Sequence, residues 1–145
     1  MQEFPHHYRV NASGLPDGDI DVVGDGLEAI PTAPPSEFGG PGDRWSPESL
    51  LVAAVADCFI LTFRAIARAS KLSWLELHCD VVGTLDRVDR VSRFTHFELR
   101  ATLQVPAGTD ESRAERLLEK AEAGCLITNS LSAEISLHCD IAAGD

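Results

Sequence analysis

Basic residues are scarce in this chain of 145 residues. It carries 12 Lys and Arg against 23 Asp and Glu, which gives a formal net charge of -11 at pH 7. Because phosphate backbones repel a protein of this charge, we expect no nucleic-acid partner. The main group of cations, Arg64, Arg68 and Lys71, falls at the end of a predicted helix, where it complements the negative end of the helix dipole.

Long uncharged apolar runs are also missing. Within the main apolar stretch the longest such run is residues 49–56, far short of the roughly 20 residues that a membrane span needs. Residues 1–7 are polar and do not resemble a secretory leader. We therefore expect a cytoplasmic protein with no membrane segment, in which the four cysteines stay reduced.

The chain also lacks the usual signs of a nucleotide or hydrolase site. The glycine-rich stretch at 39–42 has neither the lysine nor the preceding strand of a phosphate-binding loop, and no histidine has the local context of a catalytic base. We expect no cofactor. A chain of this length buries roughly 68–70% of its extended surface, so a single domain over residues 1–145 can fold without disulfides.

Hydrophobic periodicity predicts an α+β fold with the element order β(2–3)-α-β-β-α-β. Glycine- and proline-rich residues 1–45 favour two or three short strands followed by a loop at 31–43. Helices are predicted from Ser46 to about Ser70 and from Asp110 to Gly124. Alternating residues predict strands at 75–81, 97–105 and 134–141, the first two joined as an antiparallel hairpin through residues 86–93. We expect antiparallel sheet covering two helices.

The tetrapeptide Leu-His-Cys-Asp occurs twice, at 77–80 and 137–140. Two His/Cys pairs on neighbouring strands are a conceivable zinc site. However, alternation places Cys79 and Cys139 on the apolar face of their strands, whereas His78 and His138 point to the other face. One cation is not easily bound from both faces of a sheet, so we interpret both cysteines as buried structural residues and expect no metal.

The other two cysteines, Cys58 and Cys125, have two interpretations. Free cysteine is among the most buried residue types, so both could be small core residues. Alternatively they form a thiol redox site. Because Cys58 lies in a helix interior, a reactive sulfur there needs a nearby cation or hydrogen-bond donor. Cys125 directly follows the glycine that ends the second helix.

The segments SPESLLVAAVADCF at 46–59 and AEAGCLITNSL at 121–131 resemble the two cysteine motifs of the OsmC/Ohr family, the osmotically inducible and organic hydroperoxide resistance proteins. The resemblance covers roughly residues 44–141. It implies an intertwined homodimer with antiparallel sheets around two long central helices and with active sites at the subunit interface.

By this resemblance the chain is a peroxidase of organic hydroperoxides. Cys58 would be the peroxidatic thiolate, and Cys125 would be the resolving thiol that closes a disulfide, which a dithiol then reduces. Glu48 matches the family glutamate that positions an activating arginine. At the loop position of that arginine, about twenty residues before Cys58, the chain has Phe38, and Arg44 is the predicted substitute.

A second hypothesis follows from the changed arginine position. Of the two arginines before Cys58, Arg9 and Arg44, neither falls at the family position. The chain would then be a non-enzymatic relative that binds an apolar small molecule at the dimer interface, or a redox sensor.

Overall fold

The computed structural model describes residues 2–144. The chain forms two compact units, one ending at Leu51 and the other beginning at Val52. Each unit is described by itself. The single domain over residues 1–145 stays a prediction.

The first unit is built on a small antiparallel sheet. Its strand order is β1-β2-β3, which confirms the predicted two or three short strands, with bounds of Val10–Ser13, Ile20–Gly24 and Ile30–Thr32. The predicted loop contains a short 3-10 helix, Ser36–Phe38, which ends at Gly39 in the left-handed conformation that glycine tolerates. An isolated bridge joins Thr32 to Trp45 just before the long helix.

The helix α1 spans Pro47–Ala69, as predicted. Its start is capped by two serines. The Ser46 hydroxyl accepts from the Ser49 backbone N–H at 3.1 Å, and the Ser46 N–H donates to the Ser49 hydroxyl at 2.8 Å. This reciprocal pair satisfies two backbone donors at the helix start, with serine where a capping box usually has Glu or Gln.

Only one stripe of α1 is buried within the chain. Its members recur at four-residue spacing and are Val55, Phe59, Phe63 and Ala67. The other faces are also largely apolar, and Leu61 is 48% exposed. The helix α1 is long and apolar enough to cross a membrane. The core helices of soluble proteins meet the same criterion of length and composition.

The second unit contains a mixed three-stranded sheet of order β4-β5-β6. The strands are Glu76–Val88, Val91–Pro106 and Glu134–Gly144. The first pair is an antiparallel hairpin, as predicted, but β6 pairs with β5 in parallel. The α+β class is thus confirmed, with the refinement that this sheet is not wholly antiparallel.

The hairpin turn is shorter than the predicted connection over residues 86–93. It consists of Asp89 and Arg90, which both have positive φ, 52° and 67°. Two consecutive positive φ values are typical of a type I′ turn, which matches the twist of the strands but usually uses Asn or Gly. Because neither turn residue is a glycine, the sequence pattern placed the end of β4 too early and the start of β5 too late.

A helical crossover explains the parallel strand. Between β5 and β6 lie α2, Glu111–Ala123, and a short α3, Leu126–Asn129. Such a crossover returns the chain to the end of the sheet from which β5 began, so β6 starts in the same direction. As predicted, Asp110 caps α2, since its carboxylate accepts from the Arg113 N–H at 3.2 Å, and Gly124 follows its last residue.

The core of the second unit lies between one face of β5 and the helices. Alternate residues of β5 are fully or almost fully buried, namely Phe97, Leu99, Ala101, Leu103 and Val105. From α2 the buried residues are Ala114, Leu118 and Ala121. Gly83 on β4 leaves room for the ring of Phe97, because a Cβ there would lie 2.9 Å from Phe97 Cε1.

Candidate functional site

The structure brings Cys58 and Cys125 together. Cys58 lies in the middle of α1 and is partly buried, whereas Cys125 is the residue before α3 and is 1% exposed. The two side chains lie close enough that each affects the pKa of the other, and both cysteines are free. They are 67 positions apart in sequence, and Gly124, after the end of α2, leads directly into Cys125.

The surroundings of Cys58 stabilise its ionised form. Burial acts to raise the pKa of this thiol, but hydrogen bonds outweigh it and the net pKa is lowered. The donors are the Ile127 backbone N–H, the Cys125 thiol, the Thr62 hydroxyl and the Leu126 backbone N–H. A thiolate is the nucleophilic form of cysteine, so these donors favour reactivity. The donor set does not depend on a neighbouring cation.

The pKa of Cys125 moves in the opposite direction. Burial raises it most, and the hydrogen bond and negative charge of Cys58 raise it further, while hydrogen bonds from the Thr128 backbone and side chain act to lower it. The contact between the two side chains contributes to both shifts, because Cys125 keeps its proton and acts as a donor toward the Cys58 sulfur. Of the two thiols, Cys58 ionises first.

Thr62 completes the immediate surroundings of the Cys58 sulfur. It lies one helical turn after Cys58 on the same face of α1. Its Oγ1 lies 3.8 Å from Cys58 Sγ and donates to the Cys58 carbonyl oxygen at 2.7 Å.

Glu48 and Arg44 belong to the first unit. Glu48 lies in the first turn of α1, and its Oε1 is buried without a hydrogen-bond partner among residues 2–144. Arg44 is exposed and its Nε donates to Asp19 Oδ2 at 3.0 Å. The hydrogen bond and the charge of Asp19 raise the pKa of Arg44, so this guanidinium is held by a carboxylate of its own unit.

Arg9, the other early arginine, lines an open cavity of about 440 Å³ in the first unit. The cavity walls also include Asn11 and the turn after β2, including Asp25.

The repeated Leu-His-Cys-Asp segments have the predicted faces, but Cys79 and Cys139 are only partly buried. Cys79 and Cys139 both pair with Ala101 of β5 and so lie on its buried face, while His78 and His138 are exposed on the other. Burial, with nearby carboxylates, raises the pKa of each of these thiols to about 11. Within residues 2–144 no group of three His, Cys, Asp or Glu side chains is arranged to hold a metal ion.

Sequence analysis missed the donors around Cys58. Thr62 carries one usable signal, its i, i+4 spacing from Cys58. The backbone donors of Leu126 and Ile127 carry none, because the four-residue α3 is too short for a periodic pattern. Chemically, the arrangement offers a nucleophilic sulfur with a second, protonated sulfur in contact, which suits an oxidation at Cys58 followed by disulfide formation.

Comparisons with known proteins identify relatives of this chain. The OsmC-like protein family matches residues 40–140. The uncharacterized protein YmaD of Bacillus subtilis is 25% identical over 93% of this chain and 93% of its own length. Peroxiredoxin OsmC of Escherichia coli is 32% identical over 63% of this chain, which spans 64% of that protein.

Solved structures share the fold. An OsmC-like protein of unknown function from Vibrio cholerae superimposes with a TM-score of 0.84 at 17% identity, covering 94% of this chain and all of the other. An organic hydroperoxide resistance protein OsmC from Legionella pneumophila gives a TM-score of 0.76 at 25% identity, covering 97% of this chain and 100% of the other. From the match over residues 40–140, this chain belongs to the OsmC-like protein family.

Proposed function

We propose that this protein is a peroxiredoxin-like enzyme that reduces organic hydroperoxides with a pair of cysteines. The Cys58 thiolate attacks the terminal oxygen of the hydroperoxide. The O–O bond breaks, the alkoxide takes a proton and leaves as an alcohol, and Cys58 becomes a sulfenic acid. The Cys125 sulfur then attacks the Cys58 sulfur, water leaves, and a disulfide forms. An external dithiol reduces this disulfide by exchange and is itself oxidised.

The observation that carries the proposal is that the fold brings Cys58 and Cys125 together, with hydrogen-bond donors that lower the pKa of Cys58 and with burial that raises the pKa of Cys125. This order of ionisation fits the roles, because the first thiol must be a nucleophile toward peroxide and the second must stay reduced until the sulfenic acid forms. A thiol pair used only for core packing needs no donors aimed at one sulfur.

The substrate class is taken from relatives. The similar proteins from E. coli and L. pneumophila are named a peroxiredoxin and an organic hydroperoxide resistance protein. The largely apolar α1 around Cys58 suits an alkyl chain better than a charged substrate.

Glu48 and Arg44 are proposed as the positioning carboxylate and the activating cation. The buried Glu48 Oε1 without a partner calls for a donor, since leaving a buried carboxylate oxygen unpaired costs free energy. To take this role, Arg44 would have to leave Asp19 and pair with Glu48. If Arg44 acts on catalysis, Arg44→Ala lowers the rate of peroxide consumption more than Arg87→Ala, which removes an exposed arginine of the hairpin.

We further propose a cytoplasmic homodimer. Within the chain only one stripe of α1 is buried, and the first unit exposes large apolar side chains such as Tyr8 at 88% and Trp45 at 52%. A second copy that covers these surfaces would remove apolar area from water, which is the main favourable term in association.

A non-enzymatic function is the second candidate, favoured by the ion pair that holds Arg44 at Asp19. Under this alternative the protein binds an apolar small molecule, or senses oxidants, without turnover.

The test is steady-state consumption of tert-butyl hydroperoxide in the presence of dithiothreitol. Cys58→Ser should abolish consumption, whereas the matched control Cys79→Ser, which changes a thiol outside the pair, should retain it. If the parent protein does not consume peroxide above the rate of dithiothreitol alone, the enzyme proposal fails and the binding function is the better account.

A further inference from the structure

The hydroxyl of Thr62 lies between two acceptors on the residue one turn before it. Its Oγ1 lies 2.7 Å from the Cys58 carbonyl oxygen and 3.8 Å from Cys58 Sγ. A hydroxyl has one hydrogen and two lone pairs, so it donates to only one of these acceptors at a time. The shorter distance shows that the hydrogen points at the carbonyl while Cys58 is a thiol.

The longer contact joins Thr62 Oγ1 and Cys58 Sγ. Which of the two atoms donates the hydrogen bond depends on the protonation of Cys58. A thiol donates its own S–H to a Thr62 lone pair, and this contact stabilises the neutral form. A thiolate has no hydrogen and needs a donor. Rotation about the Cβ–Oγ bond of Thr62 moves only the hydrogen, and it converts the same contact into a charge-assisted hydrogen bond to sulfur.

The rotation leaves no backbone group unsatisfied. In an α-helix the carbonyl of residue i accepts the N–H of residue i+4, so the Cys58 carbonyl keeps the Thr62 backbone N–H when the hydroxyl turns away. A carbonyl has two lone pairs, and the hydroxyl uses the second one. Rotation of the Thr62 hydroxyl therefore breaks a second, neutral hydrogen bond to the Cys58 carbonyl oxygen. It forms a hydrogen bond to the negatively charged Cys58 sulfur in its place.

The short hydrogen bond fixes the position from which the hydroxyl acts. At 2.7 Å from the Cys58 carbonyl oxygen, Thr62 Oγ1 is held on the face of α1 that carries the Cys58 sulfur. Since threonine is β-branched, its χ1 angle is restricted in a helix, and turning the hydroxyl hydrogen does not require the side chain to move.

We propose that Thr62 is a positioning residue of the thiol site, whose hydroxyl turns from the Cys58 carbonyl to the Cys58 sulfur when the thiol loses its proton to solvent. The proposal deepens the proposed function, on which it rests for its biological role. The hydrogen-bond contribution of Thr62 to the lowered pKa of Cys58 agrees with it.

The test measures the pKa of Cys58 without peroxide. Iodoacetamide alkylates thiolates, and mass spectrometry of the labelled peptides gives the rate at Cys58 separately as a function of pH. The variants are Thr62→Val, which keeps the shape and removes the hydroxyl, and Thr62→Ser, which keeps the hydroxyl. Circular dichroism and thermal unfolding check that each variant is folded, and Thr62→Ala serves as a second variant without a hydroxyl.

We expect the pKa of Cys58 to rise by roughly one unit in Thr62→Val, so that alkylation below the pKa slows roughly tenfold, and to stay close to the parent value in Thr62→Ser. An unchanged or lower pKa in Thr62→Val would overturn the proposal, because the hydroxyl would then serve the thiol and not the thiolate. The same rise in both variants would assign the effect to packing. Failure of peroxide turnover in the parent protein is a separate result, since alkylation does not require it.

Discussion

Removal of the Cys125 thiol should make Cys58 less acidic. The Cys125 thiol is one of the groups whose hydrogen bonding to the Cys58 sulfur lowers the pKa of Cys58. Cys125→Ala removes the donor and leaves the backbone of α3 in place. The same change removes the proposed resolving thiol, so the measurement has to be made on the thiolate itself.

The size of the effect follows from one charge-assisted hydrogen bond. Hydrogen bonds to charged groups contribute about 1.5–3 kcal/mol, and a weak S–H donor contributes less, about 1 kcal/mol. With 1.36 kcal/mol per pKa unit, the pKa of Cys58 should rise by about 0.7, which lowers the thiolate fraction below the pKa about fivefold.

The assay is the pH dependence of iodoacetamide labelling at Cys58, with Cys125→Ser as the matched control. Serine also lacks the sulfur but keeps a donor, and its O–H donates better than S–H, so the pKa of Cys58 should be the same as in the parent or lower. If Cys125→Ala leaves the pKa of Cys58 unchanged, or if the alanine and serine variants shift it equally, the Cys125 thiol does not stabilise the Cys58 thiolate and the reasoning is refuted.

Three further predictions concern stability and are measured by chemical denaturation. Burial, with nearby carboxylates, raises the pKa of Cys79 and Cys139 to about 11, so the folded state keeps protons that the unfolded state releases above about pH 8.5. The contribution of these two thiols to the free energy of unfolding should fall as pH rises from about 8.5 toward 11, by about 1–2 kcal/mol per thiol after a discount for partial exposure, and a double alanine variant of the two cysteines should lose this fall. Gly83→Ala should destabilise by about 1–3 kcal/mol, because the new Cβ would lie 2.9 Å from two core carbons, whereas Val82→Ala on the exposed face should change little; equal effects would contradict the packing. Arg90→Gly should stabilise by about 1 kcal/mol, since glycine adopts the observed φ of 67° without strain, and a loss of stability would contradict the type I′ turn.

The sequence predictions that the structure confirms depend on capping residues and on strand periodicity. The helix start at Ser46 and the N-cap at Asp110 have defined chemistry, and both helices begin there. Strand alternation placed Cys79 and Cys139 on the buried face. Each of these features depends on residues close together in sequence, where hydrogen bonding and periodicity leave a readable pattern.

Two features that depend on distant residues were not predicted. The parallel direction of β6 results from the crossover through α2 and α3, and alternation within a strand is the same in either direction. Two of the four donors at Cys58 are backbone N–H groups of α3, about 70 positions later in the chain, and backbone N–H groups leave no residue signature. The expectation that Cys58 needs a cation or a donor was sound, but only the structure identifies the donors.

The central claim is that Cys58 and Cys125 act as one redox pair, and the most direct measurement is stoichiometric. Fully reduced protein is treated with one equivalent of an alkyl hydroperoxide, the peroxide remaining is quantified, and disulfides are mapped by mass spectrometry. The account predicts loss of the equivalent of peroxide and a Cys58–Cys125 disulfide. Unspent peroxide with all four thiols intact, or a disulfide that omits Cys58, would contradict it.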